Sequence, residues 1–132
     1  MKKEIFIVSI VVVVIIVLHI ISQIYTHKKL DSVIAELDIL ESKLLEENKN
    51  DLSNLNLEKD FENIHNKWRK KYDFFACFIE HDELEKAETQ MISISASIKV
   101  EDYDKSVDEI EKCKFILKHI EEKDSLKVVN IF

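Results

Sequence analysis

The chain contains no glycine and no proline among its 132 residues. Glycine supplies the positive φ angles of tight β-hairpin turns, so its absence disfavours β-sheet architectures. Phosphate-binding loops, dinucleotide fingerprints, nucleophile elbows and kinase glycine loops also require glycine at fixed positions. The composition therefore predicts an all-α protein, and it excludes these nucleotide-binding and nucleophile motifs.

An apolar run near the N-terminus reads I-F-I-V-S-I-V-V-V-V-I-I-V-L-H-I-I-S-Q-I over residues 5–24. Twenty helical residues span about 30 Å, the thickness of the hydrocarbon core of a bilayer. The run is longer than the apolar region of a cleaved signal peptide, about 7–15 residues, and no small-residue cleavage motif follows it. We predict a short tail at 1–4, an uncleaved signal anchor at 5–25 and a helical domain at 30–132.

Charge gives a weaker indication of orientation. Lysines flank the span on both sides, at Lys2 and Lys3 and at Lys28 and Lys29, so the positive-inside rule is nearly balanced. Residues 30–132 carry 15 of the 19 basic and 25 of the 26 acidic residues, a net charge of −10. We expect this acidic domain outside the cytoplasm, with the cytoplasmic face or a sporulation-associated membrane as alternatives. The acidity also argues against nucleic acid as a partner.

Four segments of the domain carry apolar residues at alternating spacings of three and four, which is typical of amphipathic helices. Asp31, Asp82 and Asp102 stand where helix starts are expected. Short connections favour antiparallel neighbours, so we predict an up-down four-helix bundle on one transmembrane helix. The alternative is a pair of helical hairpins that completes its core only as a dimer. The four apolar stripes cover 30–44, 57–78, 84–98 and 103–120.

This topology places four features at the end of the bundle nearest the membrane. They are Lys28 and Lys29, the run F-F-A-C-F-I at 74–79, the acidic corner E-H-D-E at 80–83, and an apolar tail at 125–132. The run at 74–79 is apolar over more of the helix circumference than one core stripe requires. We therefore expect this end to contact a partner.

The pattern F-F-A-C-F-I-E-H-D-E-L-E, followed by K-F-I-L-K-H-I and the ending V-N-I-F, resembles domain-of-unknown-function family 4363. These are small single-span proteins of spore-forming Firmicutes. The resemblance extends over nearly the whole chain and implies a membrane-anchored helical protein. It also implies a neighbouring gene for a multi-span membrane protein, and it implies no catalytic residues.

The acidic corner at 80–83 contains oxygen and nitrogen ligands, but one histidine does not make a recognised zinc motif. We interpret it as a helix start capped by Asp82. Glu62 and His65 form an E-x-x-H, the unit of di-iron bundles, yet no second copy exists and both lie off the core stripe. We therefore expect no metal, no cofactor and no enzymatic activity.

Other polar residues have simpler interpretations. Cys77 and Cys113 fall on diagonal helices, too far apart for a disulfide, so we predict two free, largely buried thiols. The run W-R-K-K-Y at 68–72 resembles a nucleic-acid-binding patch, but we interpret its lysines as the outer face of a helix. His19 lies within the span, where it belongs either to the membrane interface or to a contact with a transmembrane partner.

From these patterns we predict a non-enzymatic, membrane-anchored interaction protein that binds a membrane protein or a second copy of itself. The alternative is a sensor or ligand-binding bundle with space between helices near Trp68 and Tyr72. The candidate interaction residues are Phe74, Phe75, Phe78, His81, Asp82, Ile131, Phe132 and His19.

Overall fold

The computed structural model describes residues 2–47 and 56–129, which form four helices and the short connections between them. The helices are α1 (Lys2–Glu47), α2 (Leu57–Phe75), α3 (His81–Lys99) and α4 (Tyr103–Val129). Each helix packs on the helices before and after it in sequence, and α4 closes the bundle by packing on α1. The predicted all-α fold, a four-helix bundle behind an apolar N-terminal helix, is confirmed.

The first helix corrects one prediction. The sequence predicted that the apolar segment and the first bundle helix are separate helices, and that Asp31 lies near the start of the first bundle helix. Instead α1 runs without a break from Lys2 to Glu47. The connecting residues 25–29 contain no helix breaker, so the backbone hydrogen bonds continue through them. A helix of 46 residues is about 69 Å long.

The two halves of α1 have different surroundings. From Leu30 onward one stripe is buried against α2 and α4, whereas no residue of the most apolar window of α1 is buried. All four helices contribute to the single core, and Trp68, Phe61 and Phe75 are its largest fully buried side chains. The buried apolar residues of α1 are Leu30, Val33, Ile34, Leu37, Leu40 and Leu44.

The corner between α2 and α3 differs from the prediction. We expected α2 to continue to Phe78 and Ile79, but it ends at Phe75, and residues 76–79 form turns hydrogen-bonded to Tyr72, Phe74 and Phe75. Glu80, not Asp82, is the N-cap of α3, and its side chain makes no capping hydrogen bond. Asp82 lies in the first turn, where its charge still favours the positive end of the helix dipole.

The turn between α3 and α4 is made without glycine. Glu101 has φ 57°, a left-handed conformation that costs a residue with a Cβ about 1 kcal/mol. The amide of Glu101 donates to Ile98 and that of Asp102 donates to Ser97, the paired bonds of a Schellman motif. The Asp102 carboxylate then accepts from the Lys105 amide at 3.2 Å, so the predicted cap at Asp102 is confirmed.

Lys114 joins α4 to α1. Its Nζ donates to Asp38 Oδ1 at 2.8 Å and to Glu41 Oε2 at 2.5 Å, and it also pairs with Glu111. Burial acts to lower the pKa of Lys114, but the hydrogen bonds to the carboxylates outweigh it and raise the pKa above its ordinary value. The buried ammonium therefore stays charged and fixes the register between the two helices.

Candidate functional site: the basal end of the bundle

We call the end of the bundle next to the apolar half of α1 the basal end. Three aromatic side chains meet there, and Tyr25, Phe74 and Phe78 are named the basal aromatic cluster. The rings of Tyr25 and Phe74 are 4.9 Å apart and edge to face, and those of Phe74 and Phe78 are 5.0 Å apart. Tyr25 is 45% exposed and Phe78 is 36% exposed. The cluster therefore combines internal packing with a free apolar surface.

The turn that follows α2 positions Phe78. The amide of Ala76 donates to Tyr72 and the amide of Phe78 donates to Phe75, so the backbone stays nearly helical past the end of α2. Phe78 thus falls one turn after Phe74, on the same face. Ile79 is buried beneath this turn and closes the bottom of the core.

Lys29 adds a charge to the cluster. Its Nζ lies 5.0 Å from the centre of the Tyr25 ring, on the face of that ring. Such a cation–π contact is worth about 0.5–1 kcal/mol at an exposed site. Amphipathic aromatic rings and long basic side chains are the residue types that favour a membrane–water interface.

Two carboxylates of the acidic corner pair with lysines of α3 and α4. Glu80 pairs with Lys123 at 2.7 Å, and Glu83 pairs with Lys86 at 3.2 Å and with Lys123 at 3.5 Å. Burial acts to raise the pKa of Glu83, but the two lysines outweigh it and lower the pKa. These ion pairs join the corner to Lys86 and to the end of α4, and its placement beside Lys28 and Lys29 stays a prediction.

A second contact fastens α4 to α1 at the same level. His27 Nδ1 lies 3.1 Å from Glu121 Oε1, with both side chains about three-quarters buried. The preceding residue on α1, Thr26, is fully buried, and its hydroxyl donates to the Ser22 carbonyl at 2.9 Å. The basal end of α1 is therefore covered by α4 on one side and by the aromatic cluster on the other.

A polar pair lies at the end of the apolar run. His19 Nε2 is 3.3 Å from Gln23 Nε2, a spacing of one helical turn. Gln23 is buried, whereas His19 is exposed. The predicted site residue His19 is therefore available on the surface of α1, within the segment that is long and apolar enough to cross a membrane.

The remaining predicted interaction residues divide into three groups. Phe74 is half-buried, and His81 and Asp82 are exposed on the first turn of α3. Phe75 is fully buried and stacks on Trp68 at 5.3 Å, so its assignment to an interaction surface was wrong. Ile131 and Phe132 lie outside the described residues.

Sequence reasoning missed Glu88, which ties α2 to α3. Its carboxylate accepts a hydrogen bond from Trp68 Nε1 at 2.9 Å and from Arg69 at 3.1 Å, and it lies 3.0 Å from His65 Nε2. Burial acts to raise the pKa of Glu88, but the hydrogen bonds from His65 and Arg69 outweigh it and lower the pKa. The sequence signal that points to such a partner is Trp68, because a buried indole N–H requires a hydrogen-bond acceptor.

An open groove with a volume of about 460 Å³ lies between α2 and α3, beside these contacts. Phe61 and Ile92 supply apolar surface, and the basic residues Arg69 and Lys99 line the groove together with the acidic residues Glu58 and Glu62.

The two cysteines are separate and differ in exposure. Cys113 is buried, and burial raises the pKa of its thiol to about 12, so it is a packing residue. Cys77 is exposed, which corrects the prediction that both thiols are buried. The described residues contain no group of three or more histidine, cysteine, aspartate or glutamate side chains arranged to hold a metal ion.

A family model described as "Domain of unknown function (DUF4363)" matches residues 20–131. The chain belongs to this family. The match begins inside the apolar half of α1 and continues through α2, α3 and α4, so the DUF4363 region contains the whole basal end. No curated protein and no solved structure matches the chain.

Proposed function

We propose that this DUF4363 protein is a non-enzymatic, membrane-anchored accessory protein that binds a membrane protein through its span and its basal end. The observation that carries the proposal is the continuity of α1. One unbroken helix supplies both an uncovered apolar segment of mean hydropathy 3.2 and the first helix of the bundle. Residues 5–25 of this helix act as a single uncleaved anchor.

An unbroken helix holds the bundle at a fixed height above the membrane. Tyr25 directly follows the apolar run, and its ring packs on Phe74. The basal aromatic cluster therefore lies at the level of the membrane interface when the anchor is inserted, where a membrane partner comes within reach. An exposed aromatic group that is rimmed by charged side chains is typical of a protein-binding surface.

Co-purification in mild detergent tests this proposal. We expect a membrane protein to co-purify with the full chain, and we expect Phe78→Ser to reduce its recovery. The matched control is Phe115→Ser, which changes an aromatic side chain that is 73% exposed on the outer face of α4. Recovery of this chain alone, or equal loss of a partner in both variants, contradicts the proposal.

The orientation that we propose places the N-terminus in the cytoplasm and the acidic bundle outside it. Cys77 offers a direct test, because it is exposed, whereas Cys113 is buried with a raised pKa. A membrane-impermeant maleimide applied to intact cells is expected to label the wild-type chain but not Cys77→Ser. Labelling that requires cell lysis contradicts this orientation.

The groove between α2 and α3 favours a second candidate function, a ligand-binding bundle that acts through a partner or through dimerisation. Its charged lining is balanced: Arg69 and Lys99 stand beside Glu58 and Glu62, Arg69 pairs with Glu88, and Lys99 lies 3.8 Å from Glu58. Binding to the folded state raises the melting temperature. A rise with a metabolite that Arg69→Gln abolishes would support this function, and no rise across a broad metabolite set would oppose it.

A further inference from the structure

The last turns of α4 extend beyond the bundle. α3 begins at His81 and Glu80 pairs with Lys123, so the bundle ends at about the level of Lys123. The α4 backbone continues as a helix to Val129. In this extension α4 has left the level of α3, and α1 is the helix that continues beside it.

The register between α1 and α4 gives the height of this extension. His27 pairs with Glu121 and, further from the membrane segment, Asp38 pairs with Lys114, so the two helices run in opposite directions. Val129 lies eight residues beyond Glu121, or about 12 Å at 1.5 Å per residue. It therefore lies level with His19, about 8 Å below the last residue of the apolar run at 5–24.

Exposure along α1 agrees with this register. Ile16, Ile20 and Gln23 follow one another at spacings of four and three, which places them on the face that carries His27. Gln23 is 9% exposed, Ile20 is 40% exposed and Ile16 is half-buried. The other large apolar residues of the run are 46–66% exposed, so the α4 side of the helix is the covered side.

We propose that the C-terminal end of α4, residues 124–129, inserts into the bilayer leaflet nearest the bundle, beside the span. The inference rests on the proposed anchoring of α1, because a helix packed at the level of His19 enters whatever phase surrounds that residue. The sequence D-S-L-K-V-V suits an interface, with polar residues first and apolar residues deepest.

Depth is limited by the helix end. The last four carbonyls of a helix lack partners within it, and hydrocarbon offers none. A depth of about 8 Å keeps them within reach of headgroups and water, as in helices buried about 5–10 Å at the interface.

The consequence is a second attachment of the bundle to the membrane. A single span leaves the bundle free to tilt relative to the membrane. When both α1 and the end of α4 enter the membrane side by side, the bundle is held at two points and resists tilting. The basal aromatic cluster is then held against the membrane on the other side of α1.

Depth-dependent quenching of fluorescence in lipid tests this inference. The full chain, with Cys77→Ser and Cys113→Ala, is reconstituted into vesicles of phosphatidylcholine and phosphatidylglycerol that contain nitroxide-labelled lipid. Single variants Val128→Cys, Ile21→Cys and Lys118→Cys carry an environment-sensitive fluorophore. We expect a loss of emission at position 128 comparable with that at 21, together with a blue shift, and little loss at position 118.

The outcomes separate the two proposals. Quenching at 21 but not at 128 overturns the inserted end of α4 and leaves the anchor intact. Absence of quenching at 21 overturns the anchor itself, whatever position 128 shows. Trp68 emission in each variant reports whether the bundle is folded, and Val129→Cys replaces Val128→Cys if that variant is unfolded.

Discussion

The two halves of α1 belong to one continuous helix, but they are built for different surroundings. In the bundle half, Leu37 is fully buried whereas Ile39, two residues away, is 59% exposed. In the apolar half no residue of the most apolar window is buried, and the sequence is apolar on every face. The bundle half has one side that faces protein, whereas the apolar half has no side suited to water.

The difference shows how one backbone serves two purposes. A stripe of leucines positions the bundle half against its neighbours, and substitution there matters only on one face. An all-round apolar surface gives the other half affinity for lipid, and charge matters there on any face. The continuous backbone transmits the position of one half to the other.

The largest expected effect follows from truncating the buried stripe. Leu37→Ala leaves a cavity in the core and is expected to lower the free energy of unfolding by about 2–5 kcal/mol. Ile39→Ala removes a similar side chain from the exposed face and is expected to change it by less than about 0.5 kcal/mol. Urea unfolding of the full chain in mild detergent, followed by Trp68 emission, compares the two. Equal effects would contradict the one-sided burial of this half.

A charge in the apolar half is expected to act on membrane insertion. Val14→Lys places an ammonium near the centre of the span, at a cost of about 2.5–3.5 kcal/mol on insertion scales. We expect a smaller fraction of the protein to resist alkaline extraction from membranes, with Trp68 emission unchanged. Ile39→Lys is the matched control in the bundle half. Unchanged extraction of Val14→Lys would argue that the apolar half lies outside the bilayer.

Glu88, in α3, makes the stability of the bundle sensitive to acid. Because its folded pKa is lowered, its stabilising contribution is present above the unfolded value of about 4.3 and is lost as pH falls through the folded pKa. Glu88→Gln is expected to cost about 1–2 kcal/mol at pH 7 and to remove this component of the acid dependence. Glu85→Gln, an exposed change on the same helix, serves as the control. Parallel pH profiles for wild type and Glu88→Gln would contradict this role.

The smallest expected effect is a gain in stability at the turn between α3 and α4. Glu101→Gly relieves the left-handed backbone and is expected to add about 1 kcal/mol to the free energy of unfolding. Glu101→Ala removes the charge but keeps the Cβ, so it separates the two contributions. A gain with alanine equal to that with glycine would assign the effect to charge.

Much of the fold follows from patterns that are local in the sequence. The apolar stripes predicted the four bundle segments, and Asp102 marked the start of α4, because helical periodicity and capping depend on nearby residues. The break expected at Asp31 was wrong for a related reason. Asp31 is an acceptable helix start, but nothing before it ends the preceding helix.

The candidate site was harder to predict, because it depends on contacts between helices. No local pattern marks Tyr25, since its role requires Phe74 to be its neighbour across 49 positions of sequence. The sequence places the acidic corner at the same end as Lys28 and Lys29, but only the structure shows that Lys123 and Lys86 are the lysines that pair with Glu80 and Glu83. Phe75 and Phe74 differ by one position, and only packing shows which of them is buried.

In-cell photo-crosslinking from Phe78 tests the central claim most directly. A photoreactive amino acid at position 78 lies in the basal aromatic cluster, and the same residue at Val100 lies at the opposite end of the bundle with a 73% exposed side chain. A docking end at the membrane predicts a crosslinked membrane protein from position 78 and none from position 100, identified by mass spectrometry. Identical products from both positions, or no membrane-protein product from position 78, would contradict it.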